Sequence, residues 1–365
     1  ARRPRTLSSE SRAPQHSLHT HHWKNRVTTH ARAHFEHSSA KMSASQTINL
    51  VELLGVCVDL SKRAGDYIRA VAAGGDLKAV AKDWAGNKLD LAVAVKDVEA
   101  GADPVTQADL QAQQVIEGSL HHHFPGLRII GEEDIDPSDF LVIDSVNRGL
   151  LKDSKAVDSA FSANVPLEDV TVYIDPLDAT AEFVLGNKQS TATLVGIALK
   201  SVAYGGVIHQ PFEGTSGSGR TLWAMAGFGS GDDQEVQEKN IVTTRSLSKR
   251  TQSVLVTTRT HSSTVTEDAI KKLGMDVNLR VGGAGYKVIL LLEGAADVYC
   301  YPTPGTKKWD TCAPEAILNF MGGKMTDASG NTIDYSNTVD LHNTGGIFAA
   351  TTVDLHKKYL EKLMN

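Results

Sequence analysis

The run Tyr173-Ile174-Asp175-Pro176-Leu177-Asp178-Ala179-Thr180 constrains this chain more than any other. The apolar residues before it read as a strand over 169–174, Pro176 ends that strand because it offers no ladder N–H, and Asp178 can cap the helix that follows. Two carboxylates three residues apart, one at a strand end and one at a helix start, can converge on one cation. The intervening Leu177 carbonyl is expected to be free, since neither strand nor helix uses it. Carboxylates, a carbonyl and water are the oxygen donors that Mg²⁺ prefers.

The rest of the chain is compatible with such a site. Of 365 residues 41% are apolar and 22% charged, which excludes wholesale disorder, collagen and a coiled-coil rod. No uninterrupted apolar run is longer than that over 288–292, which is far too short to cross a bilayer, so no membrane partner is expected. Cys57, Cys300 and Cys312 lack metal-ligand spacing and form an odd set, arguing against disulfides and a zinc ribbon. Net charge is −6, but residues 1–41 carry +6 and the remainder −12. A body this acidic is a poor binder of nucleic-acid polymers and a better host for metal ions.

The basic tail holds seven of the fourteen histidines, several Ser and Thr, and no apolar period, so disorder is expected over 1–44. Its composition resembles a transit peptide, which would place the protein in a plastid or mitochondrion; if Met42 is instead the start, a cytoplasmic protein is expected.

Beyond the tail, three-and-four spacing predicts a helix over 49–71, stopped by Gly74 and Gly75. Residues 82–103 have no settled period and read as an irregular excursion or lid, and a helix follows over 106–123. Strands are expected over 127–131 and 169–174, with a hairpin over 190–199 and 202–209, and the domain joint falls in the polar stretch 227–239. Strands at 253–257, 277–281 and 296–301 then alternate with helices over 263–273, from Tyr286 and from Ala313, an α/β pattern. The expected division is an N-terminal α+β domain over 45–235 carrying the metal site, and a C-terminal α/β domain over 236–365 that completes it.

Chemistry gathers at three further places. Ile130-Gly131-Glu132-Glu133-Asp134 ends a strand in three acids. Lys307-Lys308-Trp309-Asp310-Thr311-Cys312-Ala313-Pro314-Glu315 places Asp310 just before a helix with Pro near its first turn. Thr257-Thr258-Arg259-Thr260-His261 follows a strand, and Gly282-Gly283-Ala284-Gly285-Tyr286-Lys287 opens a helix whose N–H groups could meet an anion. Blander readings hold for other residues. His121, His122 and His123 are expected to face solvent, Cys312 to be a small packing residue, and Lys307 and Lys308 to be solvated.

Taken in order, an Asp ahead of a Gly-Glu-Glu strand, then Asp-Pro-x-Asp-x-Thr, then Trp-Asp-x-x-Ala, the chain resembles the inositol monophosphatase-like family of metal-dependent, lithium-sensitive phosphatases. Val105-Thr106-Gln107-Ala108-Asp109, Thr258-Arg259-Thr260-His261 and Val281-Gly282-Gly283-Ala284-Gly285 bring it nearest to the family's 3′(2′),5′-bisphosphate nucleotidase branch. The resemblance covers nearly everything after residue 45. It implies an α/β (α+β) fold, the layered αβαβα sandwich shared with fructose-1,6-bisphosphatase.

The resemblance also implies roles. Glu132, Asp175 and the Leu177 carbonyl would hold one Mg²⁺, and Asp175, Asp178 and Asp310 a second, with Glu132 and Asp109 bordering a third. A water would lose its proton to Thr180, oriented by Asp109, and attack the 3′-phosphate of 3′-phosphoadenosine 5′-phosphate. Backbone N–H groups of Ala179 and Thr180 would receive phosphate oxygens, while Thr258, His261, Gly283 and Lys287 match positions that hold the nucleoside and its second phosphate. The partner is then a small nucleotide bisphosphate, handled by a monomer. One departure is Ala179, where the family has Gly: harmless if it is simply the first helical residue, disruptive if that position needs positive φ. An inositol bisphosphate substrate, or a nucleotide-binding protein with weak catalysis, are the alternatives.

Overall fold

The computed structural model describes residues 46–82, 88–92, 97–98, 103–154, 156, 158–214, 217–232, 251–259, 263–336, 338 and 340–365. Residues 45–365 form one compact unit; the expectations for the tail and for His261 lie outside the described residues.

Strand β1 (Thr47–Asn49) leads into helix α1 (Leu50–Gly74), which begins where Asn49 turns extended and its side-chain oxygen accepts the Val51 and Glu52 amides, both at 3.0 Å. Gly75 ends it in the left-handed region, φ 76°. The described residues in and around the expected excursion form a small sheet, in which β2 (Val80–Lys82) pairs antiparallel with both β3 (Lys88–Ala92) and β4 (Asp103–Val105), and residues 83–87, 93–96 and 99–102 lie outside the described residues. Strands of three to five residues leave almost no period in a sequence, so the pairing could not be read there. Helix α2 (Gln107–His123) starts with a capping box between Thr106 and Asp109.

Two sheets follow. The first has six strands, β5 (Arg128–Gly131), β7 (Val170–Asp178), β8 (Ala192–Leu199), β9 (Val202–Gln210), β10 (Arg220–Met225) and β11 (Gly229–Asp232), with the short β6 (Asn164–Pro166) pairing separately with β1. Of the predicted joint, residues 227–228 are a turn and 229–232 are strand, and the rest lies outside the described residues. The second sheet orders β13 (Val277–Val281), β12 (Val254–Thr258), β14 (Val298–Tyr301), β16 (Ile347–Ala350) and β15 (Lys324–Thr326). The short helix α3 (Thr180–Val184) leaves the end of β7.

Helices α1 and α2 cover one face of the six-stranded sheet, and α5 (Ala284–Leu292) and α6 (Lys308–Phe320) fill the space between the sheets. Helices α4 (Thr264–Leu273) and α7 (Val353–Met364) close the outer face of the second sheet, completing the αβαβα order. The middle layer is dry: Leu194, Ile208, Val256, Val288, Ala313 and Ile317 share one buried cluster. Helix α6 lies so close to β8 that a Cβ on Gly196 would sit 2.5 Å from that of Cys312. Cys312 is thus a pinned packing residue, and burial raises its thiol pKa well above the ordinary value. Among the described residues no helix is long and apolar enough to cross a membrane.

Helix α6 starts five residues earlier than the sequence suggests. Pro314 lies inside it, and Asp310 occupies its first turn, accepting the Lys307 amide at 2.6 Å. Strand β7 likewise runs past Pro176, because its register with β8 breaks between Asp175 and Asp178. Pro176 needs no ladder N–H at this irregularity, and its carbonyl accepts the Thr193 hydroxyl at 2.9 Å. Breaks of this kind re-aim side chains, and here the break sits between the two carboxylates of the opening motif.

Candidate active site

A cleft of about 210 Å³ opens where the ends of β7 and β12 meet the N-termini of α3, α5 and α6. Glu132, Asp175, Leu177, Asp178, Ala179, Thr180, Thr258, Gly283, Lys287 and Asp310 all line it, so distant segments of the sequence converge as expected. Asp109 lies behind this wall, fully buried, and reaches the cleft through Thr180, whose hydroxyl is 2.9 Å from both Asp109 Oδ1 and the Leu177 carbonyl oxygen. The Leu177 carbonyl is therefore not free, although its second lone pair remains available.

The floor is a crowd of acids. The charges of Glu132 and Asp178 bear on both Asp175 and Asp310, and those two bear on each other. Burial and then the charge of Glu132 push Asp310 up to about 7. The same two causes lead the rise of Asp175 well above the carboxylate range. Burial also lifts Asp178, opposed by Lys287 and by the Ala284 and Gly285 amides, which its two oxygens accept at 2.9 and 2.8 Å. The glycine-rich entry to α5 does present N–H groups to an anion, but that anion is Asp178 of the chain itself. Gly283, at φ 77°, permits the approach: a Cβ there would lie 2.9 Å from the Ser190 carbonyl oxygen and 3.0 Å from Asp178 Oδ2.

Two lysines flank the acids. Lys287 is buried, its ammonium donating to the Gly283 carbonyl at 2.9 Å and lying 5.5 Å from the Tyr299 ring centre; burial lowers its pKa to about 8. On the other side Lys82, from β2, reaches Glu132 at 2.8 Å and Glu133 at 2.5 Å. Burial alone would lower the Lys82 pKa, but Glu132, Glu133 and Asp109 together hold it above the ordinary lysine value. Neither Lys82 nor Glu133 was expected at the site. Glu133 belongs to the acidic run read from the sequence, whereas nothing in β2 marks Lys82.

The donor set fits hard divalent cations. Every candidate ligand is an oxygen, and the carboxylates repel one another with only lysine charge nearby to offset it. Among the described residues no three acidic, His or Cys groups are already gathered tightly enough to hold an ion. Glu132, Asp175, Asp178 and Asp310 with the Leu177 carbonyl are the residues that would hold Mg²⁺.

Residues 49–365 match the inositol monophosphatase family. The chain belongs to that family. A Dictyostelium discoideum protein described as 3′(2′),5′-bisphosphate nucleotidase 1 is 36% identical over 339 residues, covering 88% of this chain and 99% of its own length. A Homo sapiens protein of the same description is 38% identical over 319 residues, covering 84% and 93%. Among solved structures, the extragenic suppressor protein suhB from Bartonella henselae superposes with a TM-score of 0.58 at 18% identity, over 85% of this chain and 98% of that one, a likeness of fold.

Of the two readings of Ala179, the structure of this family member takes the second. Ala179 is not an ordinary first helical residue: it adopts φ 70°, ψ 42°, the left-handed region, just before Thr180. Its methyl is accommodated because Gly283 opposite has none; a Cβ on Gly283 would lie 3.3 Å from that of Ala179. The cost is conformational, on the order of 1 kcal/mol. Ala179→Gly is expected to raise stability by about 1 kcal/mol or slightly less, because glycine also loosens the unfolded chain. Urea unfolding checks this, and a loss of stability would contradict the strain assignment.

The expectation that Lys307 and Lys308 are solvated also fails. Lys308 is buried, and Lys307 lines the cleft with its ammonium 5.0 Å from the Trp309 ring centre. His121 and His122 are exposed as expected, whereas His123 is half-buried, its Nε2 2.8 Å from the Ile143 carbonyl oxygen.

Proposed function

We propose that this protein is a Mg²⁺-dependent phosphatase that removes the 3′-phosphate of 3′-phosphoadenosine 5′-phosphate, giving AMP and phosphate, with the 5′-phosphosulfate counterpart as a second substrate. The observation that carries this reading is the zoning of one cleft, acids on its floor around Thr180 and lysines on its walls. The acids suit cations and the lysines suit anions, so a substrate with two phosphates finds both. The names of the relatives above point the same way. The cofactor reading is two or three Mg²⁺ held by Glu132, Asp175, Leu177, Asp178 and Asp310, with Asp109 bordering the third.

Bound Mg²⁺ would supply the usual chemistry of such ions, acidifying water and neutralising phosphate charge. The chain's own contribution centres on Thr180. Its Oγ1 can take a proton from the attacking water while its own proton passes to Asp109 Oδ1 at 2.9 Å. Asp109 is suited to receive it: burial raises it, Lys82 and the Thr106 hydroxyl and amide restrain the rise, and it settles at about 6. Lys287 faces the cleft as a fixed positive charge, and Thr258, His261 and Gly283 complete the nucleotide side. In the same reading residues 45–235 form the domain that bears most of the floor, residues 236–365 the domain that completes it and binds the nucleotide, and the protein works as a monomer.

The test is phosphate release with Mg²⁺ from 3′-phosphoadenosine 5′-phosphate and from inositol 1,4-bisphosphate, each with and without Li⁺. Preferential, Li⁺-inhibited turnover of the nucleotide is expected. Turnover of the inositol substrate alone would assign the chain to inositol polyphosphates. Tight nucleotide binding with no release from either would make it a binding protein.

A further inference from the structure

The elements that carry the acidic floor must be held against the repulsion of their own carboxylates, and α6 is held from outside the cleft, by the connection between β15 and β16. There the backbone of 341–343 runs antiparallel to 306–308. The Lys308 amide donates to the Leu341 carbonyl and the Asn343 amide to the Thr306 carbonyl, both at 2.9 Å, with Lys307 bridged to His342. The Asn343 side chain is buried; its Nδ2 donates to the Lys307 carbonyl at 2.9 Å and lies 3.2 Å from the hydroxyls of Thr306 and Thr311. Because the Lys307 amide in turn donates to Asp310 Oδ2 at 2.6 Å, Asn343 fixes the residue against which the Asp310 carboxylate is aimed.

Tyr335, in the same connection and fully buried, extends the hold to β7. Its hydroxyl donates to Glu315 Oε2 at 2.7 Å and meets the Thr311 hydroxyl at 3.1 Å. A phenol has one proton, so Thr311 donates to Tyr335, and the donors run in one direction from Asn343 through Thr311 and Tyr335 to Glu315. The Tyr335 carbonyl accepts the Tyr173 hydroxyl at 2.8 Å, and its amide donates to the Ser201 carbonyl at 3.1 Å. Tyr173 stands on β7 two residues before Asp175. One tyrosine thus ties the strand that carries Asp175 to the first turn of the helix that carries Asp310. Among the described residues neither Asn343 nor Tyr335 lines the cleft, so whatever they contribute to it passes through others.

We propose that Asn343 and Tyr335 are positioning residues for the metal site, a clamp that sets the separation of Asp175 and Asp310 in advance of cation binding. The proposal rests on the metal-dependent reading above and not on the identity of the substrate. A buried network whose members are all satisfied rigidifies what it joins. Groups that orient metal ligands from behind change metal affinity by about 10- to 100-fold. This clamp acts through one further residue, so the lower figure, about tenfold, is expected.

The experiment follows thermal unfolding of the metal-free full chain against Mg²⁺ concentration, without substrate; the concentration at which stabilisation sets in reports the dissociation constant. Tyr335→Phe removes the hydroxyl and keeps the ring, and Asn343→Ala removes the amide. Glu315→Gln keeps an acceptor for Tyr335 and is the conservative variant, whereas Leu273→Ala opens a cavity in the outer cluster and controls for lost stability alone. The onset should rise about tenfold in Tyr335→Phe and Asn343→Ala and stay near the wild-type value in Glu315→Gln and Leu273→Ala. Phosphate release should show the same split, with the Mg²⁺ requirement raised and kcat at saturating Mg²⁺ largely kept. If Tyr335→Phe does not fold, Asn343→Ala decides. An onset unchanged in the clamp variants, or raised equally in Leu273→Ala, would reduce these residues to ordinary packing and overturn the proposal alone. A wild type that Mg²⁺ does not stabilise would overturn the metal reading with it.

Discussion

Asp175→Asn is expected to abolish phosphate release, by roughly 10³-fold or more, and at the same time to make the metal-free protein more stable. Asp175 is the carboxylate at the centre of the floor, buried, and raised by desolvation first and then by Glu132, Asp178 and Asp310. An asparagine of the same shape keeps the contact that the Asp175 carboxylate makes with the Leu177 amide at 3.0 Å, and removes one of the mutually repelling charges. Relief of one buried charge is worth about 1–2 kcal/mol, the lower part of the range for replacing buried ionic groups. Because Asp310, Glu133 and Asp109 have folded pKa values of about 7, 7 and 6, above those of an unfolded chain, the folded protein binds more protons than the unfolded one at mildly acidic pH. Metal-free stability should therefore fall as pH rises from about 4 to about 7, and fall less in Asp175→Asn. Thermal unfolding in EDTA and in Mg²⁺ reads both effects. Wild type should gain stability from Mg²⁺ at neutral pH and the variant should gain little; a variant that is less stable without metal and equally responsive to Mg²⁺ would remove Asp175 from the ligand set.

The acids of the site were legible in the sequence because each lies in a short motif whose local geometry is self-contained. Asp175 and Asp178 flank a proline at a strand end, Glu132 follows a glycine at another, and Asp310 opens a helix. The elements carrying them were legible for the same reason, as the long apolar period of α1 and the strand-helix alternation after residue 250 show. What could not be read depends on partners far away along the chain. Lys82 meets Glu132 and Glu133 across about fifty residues, from a strand too short to have a period. The amides of Ala284 and Gly285 meet Asp178 at a separation of more than a hundred. Local geometry misled twice, at Pro176 and at Pro314, where proline suggested a boundary and the structure instead places a register break and a helix interior. At Ala179 the sequence left two readings open, because a residue that favours helices can still be held outside helical space, and the tight turn from β7 into α3 takes the positive-φ one.

Lys82→Met should cost about 3 kcal/mol or more of stability in the absence of divalent cations, the range found when one partner of a buried ion pair is removed. The Lys82 side chain is 3% exposed and that of Glu133 1%, so no water can replace the lost ammonium. The Gln113 side chain receives the Glu133 amide at 2.9 Å and donates to its carbonyl at 2.6 Å, which fixes the backbone and leaves the carboxylate no easy escape. In the variant Glu132, Glu133 and Asp109 lose their common counter-charge and must take up protons. The loss should therefore be large at pH 8 and smaller at pH 5, because Glu133 and Asp109, already at about 7 and 6 with the lysine present, move higher without it. A carboxylate with a raised folded pKa is least costly below its unfolded value, which sets the sign. Mg²⁺ should recover part of the deficit by bringing positive charge to Glu132, something a merely mispacked variant would not show. Denaturant unfolding at both pH values, with EDTA or with Mg²⁺, separates the cases: a deficit equal in all four conditions would mean that the lysine stem packs β2 against the site and that its charge is incidental.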